Sequence, residues 1–146
     1  MRDLPRQLDE RQLAELFEGD TALIRALAGQ EDPLGSAPEV IATLSEDEKL
    51  DALNAHPAIG ARTGLSARSA AEQGDDADPE TLAELARLNA EYERRFGFRF
   101  VVFVNGRPKA DILEVLRGRI ARTREEELDT ACGELVAIAE DRWRRS

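Results

Sequence analysis

The sequence predicts an all-α protein, a single compact domain over residues 1–146 with seven to eight short helices and one extended buried segment near residues 98–104. Helix-capping signatures recur along the chain, and apolar residues follow them at three- and four-residue spacing. Only one run has the composition of a strand. A length of 146 residues suits one domain, and a hydrophobic content of 42% suits a folded core.

Capping signals predict the first two helices. Asp9 and Gln12 have the capping-box spacing, and Gly19-Asp20 breaks the helix that they begin. Asp20 is then predicted to cap the second helix. The apolar faces of the two helices are predicted to consist of Leu13, Leu16, Phe17, Leu23, Ile24 and Leu27.

The next two helices are predicted to begin after Ser36 and after Ser45. The fourth helix must end near Ala55-His56, because a residue before proline is pushed out of the helical region. His56 is therefore expected at a helix C-terminus, where the last carbonyls favour a protonated imidazole.

A further helical turn or two is predicted from Ser69, and a longer helix is predicted from Asp78 to Phe96. Gly97 is its expected C-terminal stop. Asn89 falls on the apolar face of this helix, so we expect a buried amide that needs hydrogen-bond partners.

The run from Phe98 to Val104 is the strand-like one, and no partner strand is evident in the sequence. Its backbone groups therefore need partners other than a sheet. One interpretation is a hydrophobic connector whose backbone is satisfied by loops and water. The other is that some of these backbone groups face a polar ligand. Composition alone favours the connector.

Two helices are predicted to close the chain, one from Pro108 and one after the capping box Thr123–Glu126. Arg142 continues the apolar face of the last helix. An arginine in that position either snorkels at the helix end or points into the protein. Spacing alone favours snorkelling, because Arg142 lies four residues from the C-terminus.

Charge and composition argue against several classes of binding partner and structural feature. A formal net charge of −10 and a pI near 4.7 argue against binding nucleic acid or an anionic membrane surface. No apolar run approaches the roughly 20 residues of a membrane span. The single cysteine allows no internal disulfide and no cysteine-based zinc site. Residues 1–6 lack the apolar core of a signal peptide, so a cytoplasmic location is predicted.

His56 is the only histidine, and hence the only side chain whose unperturbed charge changes near neutral pH. Ser69 and Glu72 follow it, but their spacing is also that of a capping box. His56 itself could be an ordinary surface residue. From the residues alone, His56 and Glu72 are a candidate acid–base pair and no more.

Four motifs change this interpretation. They are His56-Pro57-x-Ile59-Gly60, Ser69-x-x-Glu72-Gln73, Leu88-Asn89-x-x-Tyr92-x-x-Arg95-Phe96-Gly97-Phe98-x-Phe100 and Glu134-x-x-x-Ile138-Ala139-x-x-Arg142. In this order and spacing the chain resembles the 2-oxo-4-hydroxy-4-carboxy-5-ureidoimidazoline (OHCU) decarboxylases of urate degradation. The resemblance covers roughly residues 50 to 142.

The resemblance implies a helical homodimer that uses neither cofactor nor metal and forms (S)-allantoin. It implies that His56 donates the proton and that Glu72 assists by polarising or deprotonating the substrate hydroxyl. By the same resemblance, the residues expected to bind substrate are Pro57, Ser69, Gln73, Phe100, Val101, Val102, Phe103, Val104 and Arg142.

Two other functions remain open from the sequence. A related helical protein could act on or bind another small ureido or carboxylate compound. Alternatively, the chain could be a non-enzymatic interaction module in which His56 and Glu72 only cap helices. Side chains of His56, Glu72 and Arg142 in one pocket would favour an enzyme or small-molecule binder over such a module.

Overall fold

The computed structural model describes residues 7–19, 21–56 and 78–145. These residues form seven helices and no strand, which confirms the all-α prediction. The helices are α1 (Glu10–Phe17), α2 (Ala22–Ala28), α3 (Ala37–Thr43), α4 (Glu46–Asn54), α5 (Pro79–Phe96), α6 (Lys109–Arg119) and α7 (Arg124–Arg145).

The predicted caps form where side-chain oxygens meet the first free N–H groups of a helix. Asp9 accepts from the backbone N–H of Gln12 at 2.8 Å, and Asp78 accepts from that of Thr81 at 2.7 Å. The latter bond lowers the pKa of the Asp78 carboxyl. The capping box predicted at Thr123–Glu126 is also present, and a second one, Ser45–Glu48, forms at the predicted start after Ser45.

Two helix starts differ in detail from the prediction. The N-cap of α2 is Thr21, one residue later than the predicted Asp20. Ser36 is the N-cap of α3, but its hydroxyl donates to the carbonyl of Asp32 at 2.7 Å instead of capping the helix. A serine hydroxyl bonds equally well to a nearby loop carbonyl, which is why the pattern alone does not fix its partner.

The described residues fall into two units. The first comprises residues 7–19, 21–56 and 132–145. Within it α1 packs against α2, and α2 contacts both α3 and α4. The buried apolar side chains on these four helices include Leu13, Phe17, Leu23, Ile24, Leu27 and Leu53. The prediction of one domain over residues 1–146 stays a prediction.

The second unit comprises residues 78–131, in which α5 packs against α6. Its aromatic cluster is centred on Tyr92, whose ring lies 4.6 Å from that of Phe96 and 5.3 Å from that of Phe100, centroid to centroid. Both pairs have the edge-to-face geometry that aromatic rings favour. Gly97 ends α5 as predicted, in a left-handed conformation with φ 81° that glycine adopts without steric cost.

The segment from Phe98 to Val104 is extended, forms no strand pairing in the described structure and is mostly buried. This confirms the predicted extended segment. It leads from the end of α5 to a turn at Asn105-Gly106, where both residues have positive φ. No helix among the described residues is both long and apolar enough to cross a membrane.

Candidate functional site

His56 lies just beyond α4, whose last residue is Asn54. Its backbone N–H donates to the carbonyl of Leu53 at 3.2 Å, so the chain is still coiled there. The imidazole is buried, with the residue only 5% exposed. The structure thus places His56 at a helix C-terminal end, as predicted, and excludes an ordinary surface position.

A carboxylate faces the imidazole. Oε2 of Glu18 lies 3.6 Å from Nδ1 of His56, within ion-pair distance when the imidazole is protonated. The Glu18 side chain is 11% exposed. Glu18 immediately follows α1, so this contact joins the ends of two helices.

Arg142 reaches the same carboxylate from α7. Its Nη1 donates to the carbonyl of Leu16 at 3.1 Å and lies 3.9 Å from Oε1 of Glu18. Only 2% of the residue is exposed, so the snorkelling favoured by spacing alone is wrong and Arg142 points into the protein. The carbonyl and the carboxylate make this burial tolerable for a guanidinium. Two predicted site residues, His56 and Arg142, therefore meet at Glu18.

The turn that carries Glu18 has an unusual backbone. Glu18 has φ 67° and ψ 148°, a region that residues other than glycine seldom occupy. Gly19 follows with φ 74°, and a Cβ built on it would lie 2.9 Å from the Cβ of Ala55. The turn after α1 therefore runs close against the residue that precedes His56.

In the second unit, arginine side chains satisfy the extended segment. Arg119 donates from Nη1 to the carbonyl of Val101 at 2.7 Å. Arg107 donates from Nε to Val104 at 3.1 Å and from Nη2 to Phe103 at 2.5 Å. Arg107 belongs to the loop before α6, as the connector interpretation expects, whereas Arg119 lies on α6 itself. That Phe100, Val101, Val102, Phe103 and Val104 bind substrate stays a prediction.

Arg119 belongs to a buried polar network. Oε1 of Glu127 accepts from Nε of Arg119 at 2.8 Å and from the hydroxyl of Tyr92 at 2.6 Å, while Oε2 accepts from Arg122 at 2.9 Å. The guanidinium of Arg119 also lies over the ring of Phe100, 4.7 Å from its centroid. Burial, and next the hydrogen bond to Glu127, raises the pKa of Tyr92 well above its ordinary value of 10.0.

Four predicted site residues, Pro57, Ser69, Glu72 and Gln73, lie outside the described residues. Among the residues that are described, no cluster of three or more histidine, cysteine, aspartate or glutamate side chains could hold a metal ion.

The sequence patterns missed Glu18, Arg107, Arg119 and Glu127. Periodicity identifies apolar faces, but a charged residue that turns inward breaks the pattern rather than forming one. Two local features of the sequence could have indicated Glu18 and Arg119. Gly19 directly after Glu18 marks a tight turn, and Arg119 lies three residues after Leu116, on the inward face of α6.

A family model and several sequence relatives all relate this chain to the OHCU decarboxylases. The model of the OHCU decarboxylase family matches residues 3–144. An OHCU decarboxylase of Haloferax volcanii is 34% identical over 114 residues, covering 75% of this chain and 68% of that protein. The uric acid degradation bifunctional protein PucL of Bacillus subtilis is 29% identical over 123 residues. That match covers 82% of this chain but only 25% of PucL.

A solved structure supports the fold. The crystal structure of an OHCU decarboxylase in the presence of (S)-allantoin superposes with a TM-score of 0.75 at 23% sequence identity. It covers 90% of this chain and 94% of that one, so the two share a fold. With the family model matched over nearly the whole sequence, the conclusion is that this chain belongs to the OHCU decarboxylase family.

Proposed function

We propose that the chain is a carboxy-lyase that converts OHCU to (S)-allantoin in urate degradation. The observation that carries the proposal is the family match over residues 3–144, which includes the buried histidine expected to donate the proton. The chain of Haloferax volcanii bears the name of this decarboxylase, and the superposed crystal structure was obtained with (S)-allantoin.

The chemistry needs one proton delivered to one face of a planar carbon. OHCU carries a carboxylate and a hydroxyl on one ring carbon, next to an imine carbon. When the bond to the carboxylate breaks, carbon dioxide leaves and its electron pair forms a carbon–carbon double bond, while the imine nitrogen takes up a proton. The resulting enol is protonated at the former imine carbon, and its hydroxyl loses a proton as it becomes a carbonyl.

His56 is the proposed donor to that carbon. A general acid within reach of the reacting atom contributes about 10²–10⁴-fold in rate. The burial of His56 supports the role, because a buried imidazole keeps one orientation and excludes the water that would protonate either face. The contact of Glu18 with Nδ1 directs the opposite ring edge, with Nε2, away from that carboxylate.

The other proposed roles follow from the resemblance. Glu72 polarises or deprotonates the substrate hydroxyl. Substrate contacts are assigned to Pro57, Ser69, Gln73, Phe100, Val101, Val102, Phe103 and Val104. Arg142 provides a cation near the anionic substrate, and its burial supports this because a guanidinium shielded from water interacts more strongly with a carboxylate. A homodimer and a cytoplasmic location are part of the same proposal.

The test is to supply freshly generated OHCU and to follow the circular dichroism of the allantoin formed. We expect the wild type to give optically active product and His56→Asn to leave only the slow racemic background. Asn54→Ala, an exposed position close before His56, is the matched control and should behave as wild type.

Each other outcome has a definite meaning. Equal optical activity from wild type and His56→Asn would show that His56 is not the donor. No acceleration by the wild type would favour a protein that handles another ureido or carboxylate compound, or an interaction module.

A further inference from the structure

We propose that Glu18 is a positioning residue for the proton donor: its carboxylate holds the His56 imidazole through Nδ1 and couples it to Arg142. This inference rests on the proposed function, since it assigns Glu18 a part in the same proton delivery. It adds a second carboxylate to the predicted pair of His56 and Glu72.

The two oxygens of Glu18 face two different basic side chains. Oε2 lies 3.6 Å from Nδ1 of His56, and Oε1 lies 3.9 Å from Nη1 of Arg142. All three groups are largely shielded from water. Charges at these distances interact more strongly there than in bulk solvent. A shift of the carboxylate therefore changes the environment of both partners at once.

The backbone places Glu18 at the cost of local strain. A glutamate with φ 67° and ψ 148° occupies a region that is nearly restricted to glycine, and such residues cluster at functional sites. The close approach of Gly19 to Ala55 brings the strained turn against the end of α4. A surface turn with no role beyond ending α1 would not need this conformation, because an ordinary C-cap is available to any helix.

Holding Nδ1 has a consequence for proton delivery. Oε2 at 3.6 Å attracts a proton on Nδ1, so Nδ1 stays protonated when Nε2 gives up its own proton, and the ring keeps its orientation. With the ring held through Nδ1, Nε2 is presented at a constant angle. Delivery to one face of a planar intermediate depends on that angle.

The experiment uses two substitutions of graded effect. Glu18→Gln keeps the side-chain length and one acceptor oxygen without the charge, and Glu18→Met removes the acceptor. We expect kcat to fall about 10–100-fold in Glu18→Met, part of the rate that a positioned general acid provides, with a smaller loss in Glu18→Gln. KM should change less than about twofold, because Arg142 keeps its bond to the carbonyl of Leu16 and hence its position. Glu15→Gln and Glu15→Met, at an exposed site on α1, are the matched controls.

A second readout needs no substrate. His56 is the only histidine, so the imidazole nitrogens of ¹⁵N-histidine-labelled protein give one unambiguous pair of NMR signals. When the ring is neutral, with Nε2 having given up its proton, we expect the wild type to keep the remaining proton on Nδ1. Its signal should shift towards that of an unprotonated nitrogen in Glu18→Met and less so in Glu18→Gln, while the controls stay unchanged.

The outcomes separate the two proposals. Unchanged nitrogen signals in both Glu18 variants, or a rise in KM at constant kcat, would overturn the role of Glu18. If Glu18→Met does not fold, Glu18→Gln decides by the same criteria. If the wild type forms no (S)-allantoin, the proposed function is wrong, and the nitrogen signals still decide whether Glu18 holds Nδ1.

Discussion

Arg119 donates from Nε to Oε1 of Glu127 at 2.8 Å, and the two side chains are 8% and 0% exposed. This buried ion pair fixes α6 to the start of α7. Through its Nη1, the same arginine holds the carbonyl of Val101. Helix packing in the second unit and the course of the extended segment therefore depend on one guanidinium.

Substituting Arg119 should destabilise the folded protein. We expect Arg119→Met to lower the free energy of unfolding by about 3 kcal/mol, the low end for breaking a buried pair, because Arg122 still contacts Glu127. Arg117→Met, which removes an exposed ion pair with Glu114 on the same helix, should cost less than about 1 kcal/mol. Urea unfolding of both variants measures the difference, and equal losses would contradict the role given to Arg119.

The raised pKa of Tyr92 predicts that the folded protein loses stability at alkaline pH. Tyr92 is the only tyrosine, and its folded-state pKa lies above the ordinary value of 10.0. Below pH 10.0 Tyr92 is protonated in both the folded and the unfolded state, so its titration does not affect stability. As the pH rises above it, the unfolded state loses the phenolic proton while the folded state keeps it, so stability falls. Near-ultraviolet absorbance should show phenolate appearing together with unfolding.

The control for this pH dependence is Tyr92→Phe. It should be less stable at neutral pH by about 1.5–3 kcal/mol, the value of a hydrogen bond to a charged group. Its decline in alkali should be shallower than that of the wild type. Phenolate formation in a protein that remains fully folded just above the ordinary pKa would contradict the prediction.

Alanine substitutions at three glycines should distinguish the energetic cost of backbone strain from the cost of steric crowding. Gly97→Ala should cost about 1–2 kcal/mol for its φ of 81° alone, since nothing lies near the added Cβ. Gly19→Ala adds a clash with Ala55, which is expected to cost a further 1–3 kcal/mol or so. Gly29→Ala, with φ −87°, should instead stabilise by about 0.4–1 kcal/mol. Thermal unfolding should show Gly29→Ala as the most stable variant, Gly97→Ala as less stable and Gly19→Ala as the least stable. A Gly19→Ala variant no less stable than Gly97→Ala would argue against the close turn.

Arg142 is expected to act on substrate binding. Arg142→Lys keeps the positive charge but loses the planar fork, so it cannot contact the carbonyl of Leu16 and an anion in the same way. We expect KM for OHCU to rise about 10–100-fold, the loss of one charge-assisted hydrogen bond, with kcat nearly unchanged. Initial rates measure this. Arg144→Lys, exposed on the same helix, should match the wild type.

Short-range signals predicted most helix ends, because a cap is decided within four residues. The caps at Asp9, Ser45, Asp78 and Thr123 and the stop at Gly97 all follow from such local chemistry. The resemblance likewise identified His56 and Arg142, which the structure places at one carboxylate.

The sequence patterns did not predict the polar pairs between residues far apart in the chain. Glu18 meets residues 38 and 124 positions further along the chain (56 − 18 and 142 − 18), and no periodicity links positions so far apart. Spacing alone wrongly favours an exposed Arg142, since it cannot register a carbonyl acceptor on α1. The contact of Arg119 with Val101, eighteen residues apart, was missed for the same reason.

The arginine contacts to Phe98–Val104 bear on how the protein aggregates. Seven residues rich in aromatic and β-branched side chains have the composition that stacks into amyloid once backbone groups are free to pair between molecules. In the native state Arg107 and Arg119 occupy three of the carbonyls needed for such stacking. We therefore expect partial unfolding that detaches these two side chains to expose a segment whose composition favours aggregation.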